Sequence, residues 1–191
     1  KLRMNRTTAL EQYTRLAKEA ISRGIRPRCH LEDITRADIY GFVLPYVTEL
    51  MRISEQVDEK MKVKVRLCDT LGFGVSYPGC ALPRSVPKIV LAMIHEAGVP
   101  PDRLEWHGHN DFHKVLINGT TAWLYGCNAL NCTFLGIGER TGNPPLEGAI
   151  FEYIGLKRSL CGIDTTVITD VANFYRSIGT RISVRYPFVG D

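Results

Sequence analysis

Leu104–Lys114 reads LEWHGHNDFHK and holds three of the five histidines of the chain. Taken with a period of two, its first residues place Glu105, His107 and His109 on one alternating set, the pattern of a strand with a polar face. An open parallel sheet sandwiched between helices is normally apolar on both faces, whereas a barrel interior near the C-terminal mouth of its strands can be polar. The same alternation recurs upstream. KVKVRLCDT (62–70) carries Lys64 and Arg66 on one set, and IRPRCHLED (25–33) alternates Arg28, His30 and Glu32 with Cys29 and Leu31.

Between these strands lie helical patterns. RTTALEQYTRLAKEAISRG (6–24) has Leu10, Tyr13, Leu16, Ala17, Ala20 and Ile21 on one face, a capping-box pattern in Thr8 and Glu11, and Gly24 placed to end the helix left-handed. A second helix is expected over about 38–60, then helices over 85–98, 114–126 and 146–160, with a last strand in ALNCTFLG (129–136). Four strands alternating with helices imply parallel strands joined by crossovers. With the polar alternation, the expected fold is α/β, a (β/α)8 TIM barrel of which about four βα units are present. A whole barrel takes about 250 residues, and this chain of 191 opens on a helix. Residues 1–191 are therefore expected to be the C-terminal portion of one barrel domain.

On a strand, residues i and i+2 project to one side with Cα atoms roughly 6.5–7 Å apart. His107 and His109 can thus converge on one ion at nitrogen distances of about 2.1 Å, at the strand end where parallel α/β folds assemble their sites. Gly108 between them is expected to face the helix layer and allow close packing. Asn110 and Asp111 follow as helix cap and orienter of the ligands. His113 reads as a solvated helix residue. Asn143, in the glycine-rich GIGERTGNPPLEGAI (136–150), is either a carbonyl donor to the same ion or an N-cap. As a dinucleotide fingerprint this loop is weak, because its third glycine falls one residue late.

Composition narrows the field. The net charge is +4, with Lys and Arg spread along the chain and no nucleic-acid-binding motif, so no nucleic acid partner is expected. No stretch reaches the roughly 18 apolar residues of a membrane span, and KLRMNRTTALEQY lacks the features of a signal peptide, so the expected location is cytoplasmic, with no membrane partner. Six scattered cysteines without C-x-x-C read as reduced thiols and point away from a structural zinc held through sulfur.

HGHND, followed about thirty residues later by GIGERTGN and preceded by CDTLG and HLED, resembles the metal-dependent TIM-barrel acyltransferases and lyases. These include isopropylmalate synthase, homocitrate synthase, hydroxymethylglutaryl-CoA lyase and Re-type citrate synthase. The resemblance runs from about residue 25 to the end. It implies His107 and His109 as metal ligands, with Asn143 at or next to the metal. Asn110 and Asp111 would stand behind them. Asp69 and Thr70 take the place of the family's Asp-Thr pair, Thr70 facing the oxo acid. Glu32 is implied as an acid or base, and Arg28 and His30 as substrate contacts on the same face; an Arg28–Glu32 ion pair is the alternative.

The family's first-strand motif, with its metal-binding Asp, is absent, as is the cysteine-bearing loop of the lyases. The long FGVSYPGCALPRSVP (73–87), CHLEDITRAD and GNPPLEGAIFEY resemble the Re-type citrate synthase branch most. The implied activity is a Claisen-type condensation of acetyl-CoA with a 2-oxo acid, oxaloacetate giving citrate, assisted by a divalent ion (Mn, Mg, Co or Zn) in an expected homodimer. Homocitrate or isopropylmalate synthesis is the alternative. A non-catalytic half-barrel that self-associates through its open edge is another.

Overall fold

The computed structural model of the chain describes residues 4–190. Helix α1 (Arg6–Ser22) leads into β1 (Arg28–Leu31); a π-helical turn (Ile39–Val43) runs straight into α2 (Leu44–Ser54), and β2 (Lys64–Asp69) follows. Then come α3 (Val86–His95), β3 (Leu104–Gly108), α4 (Val115–Tyr125), β4 (Ala129–Leu130), α5 (Leu146–Lys157) and α6 (Val167–Ser177). The four strands are all parallel, in the order β1-β2-β3-β4. This sheet with its crossover helices is half of a TIM barrel.

The two strand faces separate by chemistry. Leu31, Val65, Leu67, Leu104 and Trp106 point outward into one apolar cluster with residues of α2, α3 and α4, including Val47, Leu50, Ile89, Val90 and Met93. Their burial drives the layers together. The opposite set, with Arg28, His30, Lys64, Arg66, Glu105 and His107, lines the concave inner face.

Helix ends follow local chemistry, with two departures from expectation. At the end of α1, Gly24 has φ +73°, its N–H reaches the Ile21 carbonyl and the Ile25 N–H reaches that of Ala20, both at 2.9 Å. This is the expected left-handed cap. At its start the cap is Asn5, whose side chain accepts from the Thr8 N–H at 2.8 Å, so Thr8 is inside the helix and the Thr8–Glu11 box does not form. The expected helix over 38–60 stops at Ser54 because the Ser54 hydroxyl accepts the Val63 N–H at 2.9 Å and turns the chain toward β2.

β4 is two residues long, shorter than ALNCTFLG suggests. Leu135 (φ 56°) and Gly136 (φ 62°) turn the chain away. The cause is Glu147 of α5, fully buried, whose carboxylate accepts the Leu135 N–H at 3.1 Å and the Tyr186 hydroxyl at 2.6 Å. Burial, and then the contact with Glu147, push the Tyr186 phenol pKa well above its usual range. A small second cluster of Ile168, Ala172 and Val189 packs here with Tyr186 and Leu135. Tyr186→Phe strips one donor from a buried carboxylate and is expected to destabilise the protein by about 1–3 kcal/mol, read as a lower urea midpoint; an unchanged midpoint would show that this clamp contributes nothing. No helix among the described residues is long and apolar enough to cross a membrane.

Candidate active site

The parallel register sets the inner face out in rows. Arg28 lies beside Lys64, His30 beside Arg66, Arg66 beside Glu105, and Cys68 beside His107. Toward the N-terminal ends of the strands the centre is Glu105, only 3% exposed. Arg28 approaches it at 3.3 Å, Lys64 at 3.5 Å and Arg66 at 3.1 Å, and Asn131 adds an amide N–H at 3.4 Å. Burial pushes the Glu105 pKa up, but Arg66, Arg28 and Asn131 outweigh it and hold the carboxyl below its ordinary range. The partner of Arg28 is thus Glu105, and the alternative Arg28–Glu32 pair does not form.

One row further on, Glu32 accepts the Thr70 hydroxyl at 2.7 Å, and the Thr70 oxygen accepts the Asp33 N–H at 2.7 Å. Thr70 therefore spends its proton on positioning Glu32. The Cys68 thiol also leans on Glu32; burial first, and then Glu32, push its pKa up to about 12. The nearest imidazole nitrogen of His30 stands 3.9 Å from Glu32. Burial and the Arg66 charge lower the His30 pKa. Asp69 points the other way: it is buried and accepts from Thr35 at 2.7 Å and from the Gly74 N–H at 2.9 Å, which pins the following loop.

At the C-terminal end of β3 the His107 and His109 rings meet edge to face, centroids 4.9 Å apart and planes at 83°. Nδ1 of His109 lies 2.7 Å from the Thr70 carbonyl oxygen. With Nδ1–H donated there, Nε2 is the nitrogen left to take a cation. Burial, and then His109 and Arg66, lower the His107 pKa, and its buried Nδ1 has no hydrogen-bond partner among the described residues. Gly108 has less to do than expected. A Cβ there would stand 3.5 Å from its nearest neighbours, ordinary contact.

The glycine-rich loop closes over this end. The Asn110 N–H donates to the Gly142 carbonyl and the Asn143 N–H to that of Gly136, both at 2.9 Å. Arg140 grips Asp111 at 2.9 and 3.1 Å and also donates to the Thr70 carbonyl that receives His109. The Arg140 guanidinium also stands 2.8 Å from Nδ1 of His109, and in the Nδ1–H tautomer the two donors share the Thr70 carbonyl oxygen. Asn110 is not the cap of α4, which begins at Val115; its side chain reaches the Val115 N–H only at 3.5 Å. His113 is exposed as expected, but it lies in a left-handed bend (φ 55°) before α4 and not in the helix.

Asn143 is not a helix cap either, since α5 is preceded by Pro145. Its Oδ1 is buried without a hydrogen-bond partner. Its amide sits where a Gly138 side chain would be, 2.5 Å from the place of a Cβ. The donor set fits a divalent cation: two imidazoles at right angles, one with an orphaned buried nitrogen, and an unpaired amide oxygen on the loop tied to the same strand end. Gly138→Ala is expected to push Asn143 aside and weaken Mn²⁺ affinity by about tenfold, read by titration; unchanged affinity would remove Asn143 from the set.

A second donor group lies beside the first. His30, Glu32 and Cys68 bring one ligand atom each within 4.8 Å of one another. Sequence reasoning had assigned no role to Cys68, Glu105 or Arg140. Parity along β2 from Thr70 points to Cys68, and Glu105 shares the parity of His107, but Arg140 lies in an aperiodic loop with nothing to reveal its partners.

Comparison with known proteins gives this geometry its context. The chain is 60% identical over all 191 residues to a citrate (Re)-synthase of Syntrophus aciditrophicus (strain SB), covering 30% of that protein. It is 51% identical over the same span to a citrate (Re)-synthase of Clostridium kluyveri, covering 42%. The chain thus spans less than half the length of these relatives. Among solved structures, hydroxymethylglutaryl-CoA lyase from Pseudomonas aeruginosa shares the fold with a TM-score of 0.66 at 22% identity, over 94% of this chain and 58% of the lyase. The HMGL-like family model matches residues 1–174, nearly the whole barrel segment that carries both the histidine strand and the loop above it, and the chain belongs to the HMGL-like family.

Proposed function

We propose that the protein containing this chain condenses acetyl-CoA with oxaloacetate to give citrate, in the manner named for its Syntrophus and Clostridium relatives. The observation that carries this reading is the donor set of His107, His109 and Asn143 at the strand ends, in a chain 60% identical to the first of those relatives. A divalent ion bound there supplies Lewis-acid polarisation of the ketone.

The remaining work falls to side chains. Condensation requires a proton to leave the methyl group of acetyl-CoA, the resulting carbanion to attack the ketone carbon, the alkoxide to be protonated, and the thioester to be hydrolysed. Glu32, held by the Thr70 hydroxyl and the Cys68 thiol at the edge of the inner face, is the proton-transfer group this chain contributes. Arg140, by fixing Asp111 and the Thr70 carbonyl, positions His109. The three cations around Glu105 leave a positive surplus below the histidines. That surplus suits a second carboxylate on the oxo acid and disfavours a branched apolar one.

The test is coenzyme A release from acetyl-CoA by the full-length protein with Mn²⁺, comparing oxaloacetate, 2-oxoglutarate and 2-oxoisovalerate. Release with oxaloacetate alone is expected. Release only with 2-oxoglutarate or 2-oxoisovalerate would reassign the substrate, and none with any of the three would refute condensation.

A further inference from the structure

The mechanism uses Glu32 but leaves the cysteine and histidine beside it without a chemical role. Cys68 is buried on β2, His30 is on β1 with its side chain 41% exposed, and Glu32 follows β1 with its side chain 62% exposed. Thiol, imidazole and carboxylate are three different ligand types, and their donor atoms already lie within 4.8 Å of one another, the imidazole and carboxylate at 3.9 Å. Three bonds of about 2.0–2.3 Å to one ion set donors roughly 3.5 Å apart. The two exposed side chains can close that gap by rotation, with Cys68 fixed in the strand.

We propose that His30, Glu32 and Cys68 form a second cation site, separate from the His107–His109 pair and selective for thiophilic divalent ions such as Cd²⁺ or Zn²⁺. Binding forms one bond each to sulfur, nitrogen and oxygen and releases the thiol proton to solvent, with no change of oxidation state. Sulfur selects the ion. Mg²⁺ and Mn²⁺ prefer oxygen and nitrogen donors and gain little from thiolate, whereas Zn²⁺ and Cd²⁺ gain much. The occupied site is neutral, since thiolate and carboxylate cancel the ion's charge, but exchanging one proton for a divalent ion adds one positive charge to a face that already holds Arg28, Lys64 and Arg66, so the sulfur bond and not charge must supply the affinity.

Occupation has a functional consequence, which rests on the role given to Glu32 above. A carboxylate bound to the ion cannot take up a methyl proton, so thiophilic ions inhibit while Mn²⁺ at the histidine pair activates. The site behaves as an inhibitory switch for soft metals.

The experiment titrates Cd²⁺ into the full-length protein in excess Mn²⁺ and follows the ultraviolet thiolate-to-cadmium charge-transfer band, with coenzyme A release measured in parallel. The wild type is expected to develop the band with one equivalent of Cd²⁺. Cys68→Ser is expected to abolish it, His30→Ala to weaken Cd²⁺ affinity at least about tenfold, and the double variant His107→Ala/His109→Ala to retain it. A band that persists in Cys68→Ser places the ion on another cysteine and overturns the proposal, as does its disappearance in the double variant. If Cys68→Ser fails to fold, unchanged affinity in His30→Ala, at an exposed position, overturns it alone. The band reports the site whether or not the protein makes citrate, so failure of the condensation reading is seen separately, in the release assay.

Discussion

His109→Ala is expected to lower coenzyme A release at least about a thousandfold while the protein stays folded. His109 is 7% exposed, and its ring is fixed by the Thr70 carbonyl on the neighbouring strand end, behind which Arg140 and Asp111 form a further support. Removing the ring deletes one of the donors proposed for the ion and leaves His107 without the geometry of the pair. Loss of Lewis-acid stabilisation is worth several kcal/mol of barrier, and each 1.36 kcal/mol is tenfold in rate, which gives roughly three orders of magnitude. The affinity for Mn²⁺ should fall with the rate. A variant that keeps wild-type metal affinity and loses only activity would assign His109 to the substrate instead.

The largest stability effect is expected at Glu105. Glu105→Gln preserves the shape but leaves Arg28, Lys64 and Arg66 facing one another with no anion among them, at a cost of about 3–5 kcal/mol, most of it from Arg66, the least solvated of the three. The sign with pH follows from the lowered pKa of Glu105 in the folded protein. A depressed carboxyl pKa contributes stability that is fully present above its unfolded value, about 4.3, and is lost as pH falls through the lower folded value. The gap between wild type and Glu105→Gln in urea unfolding should therefore be widest near neutrality and close in acid. A gap that does not change with pH would mean that the interaction is one of packing and hydrogen bonds alone.

What the sequence disclosed about the site depends on how local each interaction is. The parity of Glu105 and His107 on β3, continued by His109 just past its end, is enough to choose a barrel over a sandwiched sheet, since a strand's alternation is a property of its own backbone. Gly24 was readable for the same reason. Asn5 took the cap from Thr8 because two good capping residues stand three positions apart and only the tertiary start of α1 decides between them. ALNCTFLG has strand composition throughout, but Glu147, a buried carboxylate on the following helix, takes the Leu135 N–H out of the ladder. The alternative pairing of Arg28 with Glu32 fails because the partner of Arg28 lies across β2, on β3. In each case the missing information is a contact between distant segments, which no periodicity encodes.

The central claim is that the strand end bearing HGH is a metal centre. Its most direct test is the magnetic resonance of Mn²⁺ bound to the full-length protein with ¹⁵N-labelled histidine. Hyperfine coupling to two imidazole nitrogens is predicted, falling to one in His107→Ala and again to one in His109→Ala. Bound Mn²⁺ coupled to no histidine nitrogen, or coupling unaltered in both variants, would contradict it.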